Sequence, residues 1–398
     1  MLYNNYTENL LELKDVILTN VENFTDKRHL HIHKKQTEQT CPCCSSKTSR
    51  IHDYRTQKVK DLPIGGKHTY LIIRKRRYFC PACQKKFYEH FDFLPKYQRT
   101  TNKLWAQVFI EMEKLKSMKL IGEELNISGT TVARIFDNVS YGMQHLPKVL
   151  SIDEFKGNSN GEKFQTILTN PKKKLVLDIL PSRKAEDLYA YFSKFKDRKN
   201  VELIVMDMSN HFRTVMKNCF PNAKIIADKY HVRRQISWAF DNVRIRVQKN
   251  FHPSRRKYFK RSKSLLNKKF ENLTDDQKNE VTNMITLSND LGLAYHLKNE
   301  FQKLMDSKNG DEATKNLNDW LYRAENINLP EFKTAINAFR NWHTEIIAAF
   351  ETGYTNGFTE GCNNKIKVIK RISFGVRNFA RFKKRILHSF IKKTVYAT

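Results

Sequence analysis

Two aspartates within short apolar segments are the residues of this sequence best suited to metal-dependent chemistry. Asp153 lies in the segment KVLSIDEFKG and Asp207 ends the segment VELIVMD, and these short, β-branched runs each predict a β-strand. Carboxylate oxygens are the ligands that Mg²⁺ prefers, and two such ions about 3.5–4 Å apart can activate water and stabilise a leaving oxygen. The two aspartates therefore predict a Mg²⁺ site, provided that the fold places their strands side by side.

The elements predicted from Lys148 onwards supply that arrangement. Three strands (KVLSIDEFKG, KFQTILTN and KLVLDILPS) precede a helix, the strand VELIVMD, a second helix, the strand AKIIAD and a long basic helix. This order predicts a mixed sheet flanked by helices. The first and fourth strands are neighbours in such a sheet, so Asp153 and Asp207 should face each other.

Glu360 is the candidate for a third carboxylate, because it opens the predicted helix TEGCNNKIKVIKRI. At about 100° per residue, one face of that helix carries a polar set: Glu360, Asn364, Lys367 and Arg371. The opposite face is apolar and can pack on the sheet: Cys362, Ile366 and Ile369. A carboxylate near a helix N-terminus also meets a favourable dipole. We therefore expect Glu360 to be a ligand of the metal site. We expect its polar neighbours on the helix to bind DNA phosphates.

Other acidic residues compete for the same role. Glu154 adjoins Asp153 but points to the other face of its strand, and Asp178 lies in the third strand as a core or edge aspartate. Asp228 ends the fifth strand, and we interpret it as a residue that supports the site, together with His231. The sequence leaves open whether Asp228 enters the active site itself.

A cluster of cysteines in the first quarter of the chain predicts a structural zinc site. The spacing is Cys41-Pro-Cys43-Cys44 and then Cys80-Pro-Ala-Cys83. Two C-x-x-C knuckles can present four thiolates to one tetrahedral Zn²⁺, and four protein ligands leave no open position for catalysis. Cys41, Cys44, Cys80 and Cys83 are the natural set, but the extra thiol of Cys43 leaves the register of the first knuckle open.

Two further segments are predicted to bind DNA. The segment SMKLIGEELNISGTTVARIFD fits two helices joined by a tight turn, with Ser128 as the N-cap of the second helix. A recognition helix there would offer Thr130, Thr131 and Arg134 to a major groove; a plain helical hairpin is the alternative. A basic run before the second knuckle either contacts phosphates or forms a solvated strand edge: Arg74, Arg76 and Arg77.

The composition favours a nucleic-acid partner. The 398-residue chain has 72 Lys and Arg against 41 Asp and Glu, which gives a net charge of +31. The tail from Gly361 to Thr398 contains 11 Lys or Arg and no acid, so this tail, Arg377 included, should follow the DNA backbone. No run approaches the ~20 apolar residues of a membrane span, and the N-terminus lacks a signal-peptide pattern. We therefore expect a cytosolic protein that acts on DNA and has no membrane contact.

Together these motifs resemble the bacterial insertion-sequence transposases of the ISL-three type. The resemblance covers nearly the whole chain, and its most specific parts are SIDEF, VMDMSNHFR, FPNAKIIADKYHV and the segment from Asn356 to Arg371. It implies a ribonuclease-H-like catalytic fold with an Asp–Asp–Glu active site, and a helical insertion between the fifth strand and the Glu360 helix. It also implies DNA cleavage at element ends followed by strand transfer.

The resulting prediction is a multidomain α+β protein that opens with the helix YTENLLELKDVILT. Its expected regions are a zinc-binding module (1–95), a helix-turn-helix (98–146), a ribonuclease-H-like catalytic domain (148–249 and 351–398) and an all-helical insertion (250–350). We expect a transposase that binds terminal inverted repeats and target DNA as a homodimer, with two Mg²⁺ ions and one structural Zn²⁺. The rival interpretations are a non-catalytic DNA-binding regulator and a nuclease or resolvase of the same fold that cuts without joining.

Overall fold

The computed structural model describes most of the chain. The described residues are 11, 13–143, 145–261 and 263–390. Within these ranges, no helix combines the length and the apolar character needed to cross a membrane. The chain forms two compact units, the first built on a small sheet with short helices and the second on a mixed α/β sheet with many helices.

Of the described residues, the first unit contains those up to 141, residues 368–376 and residues 380–390. Its main sheet has the strand order β1-β2-β6-β5, with β7 added to β6. The strands are β1 (Val16–Asn23), β2 (Lys27–Lys34), β5 (Ile51–Ile64), β6 (Lys67–Phe79) and β7 (Lys86–Tyr88), and the short β3 (Gln39–Thr40) and β4 (Lys47–Thr48) pair with each other. Alternate apolar residues of β2 and β6 form the core of the sheet: Leu30, Ile32, Leu71 and Ile73.

Strand β1 shows that the helix predicted over YTENLLELKDVILT is wrong from Val16 onwards, whereas Leu11 is helical as predicted. Val16–Asn23 pairs antiparallel with β2, while most of the residues ahead of it lie outside the described ranges. The apolar spacing fits a helix, but pairing with β2 gives the β-branched residues a sheet neighbour that a lone helix lacks. The histidine-containing segment that follows, Lys27–Lys34, forms β2.

The next elements are the helices α1 (Asn102–Glu113), α2 (Met118–Glu124) and α3 (Gly129–Phe136). The turn between α2 and α3 is tight: Asn126 adopts a left-handed φ of 55°, and the missing side chain of Gly122 allows the Ile127 carbonyl to approach. Ser128 caps α3 as predicted, because its hydroxyl accepts the Thr131 backbone N–H at 3.1 Å. The segment therefore forms two helices joined by a tight turn.

The second unit contains residues 142–367 and 377–379. Its sheet has the strand order β10-β9-β8-β11-β12. The strands are β8 (Val149–Phe155), β9 (Gln165–Asn170), β10 (Leu175–Leu180), β11 (Leu203–Met206) and β12 (Lys224–Ala227). Strands β8, β9 and β10 are antiparallel neighbours, whereas β11 lies parallel between β8 and β12. The predicted mixed sheet, with its first and fourth strands adjacent, is confirmed.

The two faces of this sheet pack differently because side chains alternate along each strand. One face buries Ile152 and Met206 in a large core with helices that follow the strands: α4 (Ala185–Phe192), α5 (Asn210–Cys219) and α6 (Lys229–Lys249). The other face carries Val149 and Val205, which pack against Ala348 from a later helix. Asp153 lies four residues after Val149 in the same strand, β8. Because side chains alternate between the two faces, Asp153 belongs to the same face as Val149.

The chain after α6 is helical, as predicted for residues 250–350. The helices are α7 (Pro253–Arg261), α8 (Lys263–Asn267), α9 (Asp275–Thr286), α10 (Asn289–Met305), α11 (Gly310–Ile327), α12 (Lys333–Asn341) and α13 (His343–Thr352). Short 3-10 turns lie at Arg198–Asn200, Phe270–Asn272 and Pro330–Phe332. Apolar residues of these helices join the same core as the sheet. The helical segment is therefore packed as part of the second unit.

The described chain ends with α14 (Gly357–Ile372) and α15 (Phe379–Ser389). The basic side chains of α15 bond to other parts of the first unit: Arg381 Nη2 lies 2.5 Å from Asp137 Oδ2, and Arg385 Nη2 donates to the Lys114 carbonyl at 2.6 Å. These contacts correct the prediction that the whole basic tail follows DNA, because this part of its charge is engaged within the protein.

Gly122→Ala is expected to destabilise the turn between α2 and α3. An added Cβ would lie 2.6 Å from the Ile127 carbonyl oxygen, so the backbone would have to shift. We expect the free energy of unfolding to fall by about 1–3 kcal/mol, measured by urea denaturation followed by circular dichroism. Gly142→Ala is the matched control, because its added Cβ meets open space. Equal stability of the two variants would show that the close approach in the turn does not matter.

Candidate active site

Three aspartates lie side by side at one edge of the second sheet. In the parallel pairs, Ile152 of β8 is opposite Met206 of β11, and Met206 is opposite Ala227 of β12. Each of these three residues is followed in the chain by an aspartate: Asp153, Asp207 and Asp228. The sheet register therefore brings together two acids that the sequence predicted for the site and one that it left open.

Polar side chains around the start of α14 hold these carboxylates in place. The backbone N–H of Asn356 donates to Asp228 Oδ1 at 3.0 Å, and its amide Nδ2 lies 3.5 Å from Asp207 Oδ1. Asn356 Oδ1 in turn accepts the Ser151 hydroxyl at 2.6 Å. Two turns further along the helix, Asn363 Nδ2 donates to Asp153 Oδ2 at 2.8 Å. The start of α14 is thereby fixed against three neighbouring strands.

His231 connects the aspartates to Glu360. Its Nε2 lies 3.0 Å from Asp207 Oδ2 and 3.7 Å from Glu360 Oε1. Its Nδ1 lies 2.6 Å from Arg234 Nη2, and because a guanidinium can only donate, Nδ1 accepts that bond. The proton of the neutral ring is then on Nε2, where it points to the carboxylates. The predicted third carboxylate is thus at the same site as Asp207.

The negative charge of these carboxylates is poorly compensated. Burial, and then the charge of Asp207, raises the pKa of Asp153 to about 7. Burial also raises the pKa of Asp228 and that of Glu360, and the charge of Asp228 raises the Glu360 pKa further. Within the described ranges, Asp228 Oδ2 and Asn363 Oδ1 are buried and accept no hydrogen bond. Negative charge and unpaired oxygens together are what a divalent cation would satisfy.

The closest group of potential metal ligands is Asp207, Asp228 and His231, whose ligand atoms all lie within 4.8 Å of one another. Asp153 and Glu360 stand outside this closest group, although the charge of Asp207 acts on the pKa of both. Hard carboxylate oxygens suit Mg²⁺ or Mn²⁺, and His231, with its proton on Nε2, is a hydrogen-bond donor to them and not a ligand. The donor set therefore fits a divalent cation, and it includes Asp228.

The two other competing acids have different partners. Glu154 Oε2 accepts from Arg183 Nη1 at 2.6 Å. Asp178 is buried, and its Oδ2 accepts the Tyr191 hydroxyl at 2.7 Å. These two pairings distinguish Glu154 and Asp178 from the acids beside Asp207.

Two asparagines of the site were missed by the sequence analysis, which named Asn364 instead of Asn363. Asn364 is exposed, and its Oδ1 accepts from Lys367 Nζ at 3.3 Å. The missed signal is a buried polar stripe, because Asn356, Thr359 and Asn363 recur at helical spacing on the side of α14 that meets the sheet. Such a stripe indicates a polar partner, here the carboxylates and the Ser151 hydroxyl.

The cysteine cluster of the first unit converges as two knuckles. Cys41 Sγ lies 3.5 Å from Cys83 Sγ, and Cys44 Sγ lies 3.5 Å from Cys80 Sγ. All four sulfurs lie within 4.8 Å of one another. Cys43 is exposed, and only its backbone N–H points to the group, towards Cys41 Sγ at 3.4 Å. Four converging thiols suit a tetrahedral structural Zn²⁺, and Cys43 is the spare cysteine.

The basic run before the second knuckle is only partly exposed. Arg74 is exposed and stacks on the Tyr54 ring at 4.1 Å, and Arg77 Nη1 lies 3.6 Å from Asp53 Oδ2. Arg76 is buried, and its Nη1 bonds Glu89 Oε2 at 3.1 Å. The prediction that Arg76 contacts DNA is therefore wrong, because its guanidinium is inside the unit and already paired.

The other residues predicted to contact DNA keep accessible positions. Thr130 and Arg134 are exposed on α3, whereas Thr131 is half-buried near the Ser128 cap. Arg377 is also exposed, and its backbone carbonyl accepts the Ser159 hydroxyl at 3.3 Å. Lys367 and Arg371 are exposed on α14. Their contact with DNA stays a prediction.

Comparison with known proteins gives two family matches. A family described as a transposase, of the ISL3 (ISL-three) type with a DDE active site, matches residues 150–386. A second family, described as the zinc-finger of transposase IS204/IS1001/IS1096/IS1165, matches residues 37–83. The first match alone spans more than half of the chain, and the second contains all four converging cysteines.

Individual relatives agree with these matches. The chain is 25% identical over 375 residues to the transposase for insertion sequence element IS1001 from Bordetella parapertussis, across 91% of this chain and 92% of that protein. It is 22% identical over 280 residues to the transposase for insertion sequence element IS1557 from Mycobacterium tuberculosis, across 63% and 62%. A 63-residue segment is 43% identical to a Lactococcus lactis protein named ATP-dependent protease, but it covers only 20% of that protein.

Cys44→Ser is expected to remove the zinc, whereas Cys43→Ser is expected to keep it. A thiolate is lost from the converging set in the first variant and from outside it in the second. Elemental analysis of purified protein should give about one Zn²⁺ per chain for wild type and for Cys43→Ser, and far less for Cys44→Ser. Zinc loss in Cys43→Ser with retention in Cys44→Ser would reverse the ligand assignment.

Divalent cations are expected to stabilise the second unit through the carboxylate site. With the cysteine site kept loaded with zinc, Mg²⁺ or Mn²⁺ should raise the melting temperature of wild type by neutralising the buried charge. Asp207→Asn should melt higher than wild type without divalent cation and should respond less when it is added. Calorimetry measures both effects. Glu202→Gln, which changes an exposed acid paired with Lys148, is the control and should behave as wild type.

Proposed function

Because the chain belongs to the ISL3 family of DDE transposases, we propose that it binds the terminal inverted repeats of an insertion sequence and catalyses Mg²⁺-dependent DNA cleavage and strand transfer. Family membership already gives the reaction class, which is DNA transposition by an endonuclease and polynucleotidyl transferase. Family membership also argues against the rival interpretation that the whole chain is a non-catalytic DNA-binding regulator.

The observation that carries the proposal is the row of three aspartates on neighbouring strands, of which Asp153 and Asp228 are buried and Asp207 is half-buried. We assign catalysis to Asp153, Asp207 and Glu360, which would hold the divalent ions. Asp228 joins this set as a further ligand, because its donor atom lies within 4.8 Å of that of Asp207. The raised pKa of Asp153 and the unpaired Asp228 oxygen support a cation at this place.

The sheet supports a ribonuclease-H-like catalytic fold. Three antiparallel strands continue into two parallel strands, and the acids lie on the first strand and at the ends of the two parallel ones. A helix that follows the helical segment brings Glu360 to the same edge. We assign residues 148–249, 351–367 and 377–379 to this domain and 250–350 to its insertion, and we place residues 368–376 and 380–390 with the first unit instead.

The bound ions would supply an acidified water and stabilisation of the leaving oxygen. The residues of the chain would do the positioning: Asn356 and Asn363 orient the carboxylates, and His231 holds a proton at Nε2 between Asp207 and Glu360. Exposed polar groups on α14 would bind phosphates of the DNA strand: Asn364, Lys367 and Arg371.

The first unit would supply the DNA-end recognition. We infer that α2 and α3 form a helix-turn-helix whose exposed Thr130 and Arg134, with Thr131 beside the cap, face a major groove. DNA phosphates would be contacted by Arg74, Arg77 and Arg377. The zinc ion of the zinc module (1–95) would stabilise the folded conformation of β6, the basic strand that carries Arg74 and Arg77. Because strand transfer needs two element ends held together, we infer that the working form is a homodimer.

Cleavage and joining of an end-containing duplex in Mg²⁺ test this assignment. Asp153→Asn, Asp207→Asn and Glu360→Gln should each lower the cleavage rate by roughly 10²-fold or more, because each removes a ligand from the metal site. Glu154→Gln is the matched control next to Asp153, since Glu154 pairs with Arg183 instead. Wild-type cleavage by Asp207→Asn would overturn the assignment. Cleavage without any joined product would favour the nuclease or resolvase interpretation.

A further inference from the structure

Helix α6 exposes two large aromatic side chains on one face. Tyr230 is 57% exposed and Trp238 is 53% exposed, although such side chains usually bury most of their surface. The Arg234 guanidinium lies between them, 4.7 Å from the Trp238 ring centroid and 5.7 Å from that of Tyr230. The three residues recur at every fourth position, so they form one stripe along the helix, called here the aromatic ladder.

The aromatic ladder begins beside the candidate active site. Arg234 Nη2 lies 2.6 Å from His231 Nδ1, and the other ring nitrogen of His231 is 3.0 Å from Asp207 Oδ2. Tyr230 is in the first turn of α6, two residues after Asp228. A single histidine therefore separates the ladder from the acids proposed to hold the divalent ions.

The aromatic ladder lines a surface cavity of about 360 Å³. Polar and basic side chains complete the wall: Arg233, Ser237, Lys263 and Asn267. Among the described lining residues the one acid is Asp241, and its carboxylate is already neutralised by Arg244 Nε at 2.8 Å and Lys263 Nζ at 2.7 Å. The cavity thus combines flat apolar faces, hydrogen-bonding groups and positive charge, and its size is within the ~300–1,000 Å³ of small-ligand sites.

We propose that this cavity binds an unpaired nucleobase, extruded from the DNA duplex next to the phosphate that is cleaved. The inference depends on the proposed function, because a scissile phosphate held at Asp207 and Glu360 is what brings nearby bases to α6. A nucleobase has flat faces that stack on Tyr230 and Trp238 and polar edges that meet Ser237 and Asn267. Its flanking phosphates suit the positive charge of Arg233.

The extruded base gives the carboxylates room to reach the phosphate. A base inside the duplex keeps the backbone in its helical path, and enzymes that act on one nucleotide commonly take it out of the stack. The cost of unpairing is offset when the base stacks on an aromatic ring, and this stacking accepts any base because every base has a π-face. The cavity therefore assists opening of the DNA near the cleavage position without adding sequence recognition.

Permanganate oxidation of unpaired thymines tests the proposal on an end-containing duplex bound by the full-length protein. With wild type and Ca²⁺ in place of Mg²⁺ to prevent cleavage, a thymine next to the cleavage position should become reactive. Trp238→Ala and Tyr230→Ala should lose this reactivity. Each should also cleave about tenfold more slowly in Mg²⁺, the factor that ~1.4 kcal/mol of stacking supplies. Trp238→Phe should retain most of both effects, because it keeps an aromatic face.

Tyr322→Ala is the matched control, since Tyr322 is an aromatic residue of α11 that is 71% exposed and lies outside the cavity lining. A duplex mismatched at the extruded position should restore cleavage by Trp238→Ala, which a merely structural role of Trp238 would not allow. If wild type cleaves but Trp238→Ala matches it in rate and permanganate pattern, the proposed cavity function is wrong. If wild type itself does not cleave in Mg²⁺, the proposed function has failed instead.

Discussion

The hydrogen bonds of Asn356 are the constraint on which the second unit depends. This one residue bonds Ser151 of β8, the Asp207 carboxylate after β11 and the Asp228 carboxylate after β12. It stands where the chain returns from the long helical segment, so these bonds fix the position of α14 and, with it, Glu360. An amide both donates and accepts, whereas a carboxylate in the same place could not donate to Asp207. The position therefore suits asparagine and not aspartate.

The neighbouring carboxylates of Asp153, Asp207 and Asp228 show how electrostatic repulsion between like charges can be maintained in a folded protein. Buried carboxylates with raised pKa values disfavour the folded state, and the sheet that holds them is correspondingly well packed on its other face. The same core extends through the helices of residues 250–350. We interpret this large apolar core as the part of the unit that keeps the strand ends in register despite the charge.

Much of the fold could be predicted from the sequence because its signals are local. The strands of the second sheet are short apolar runs between turn residues, and their order alone makes Asp153 and Asp207 neighbours. Glu360 was found from helical phasing. Asn356 and Asn363 were not, because a buried polar residue is recognised by its partner, and the partner lies far away in the chain. Arg76 was misassigned for the same reason, since nothing near it in the sequence indicates that Glu89 covers it.

The placement of α15 affects how this protein is made. The first unit begins at the N-terminus, yet Arg381 and Arg385 of α15 bond to Asp137 and to the Lys114 carbonyl within it. A ribosome must therefore translate residues 142–367 of the second unit before α15 can join the first unit. Premature termination within the second unit leaves the first unit without α15 and without its bonds to Asp137 and Lys114. The chain order thereby couples completion of the first unit to synthesis of the second.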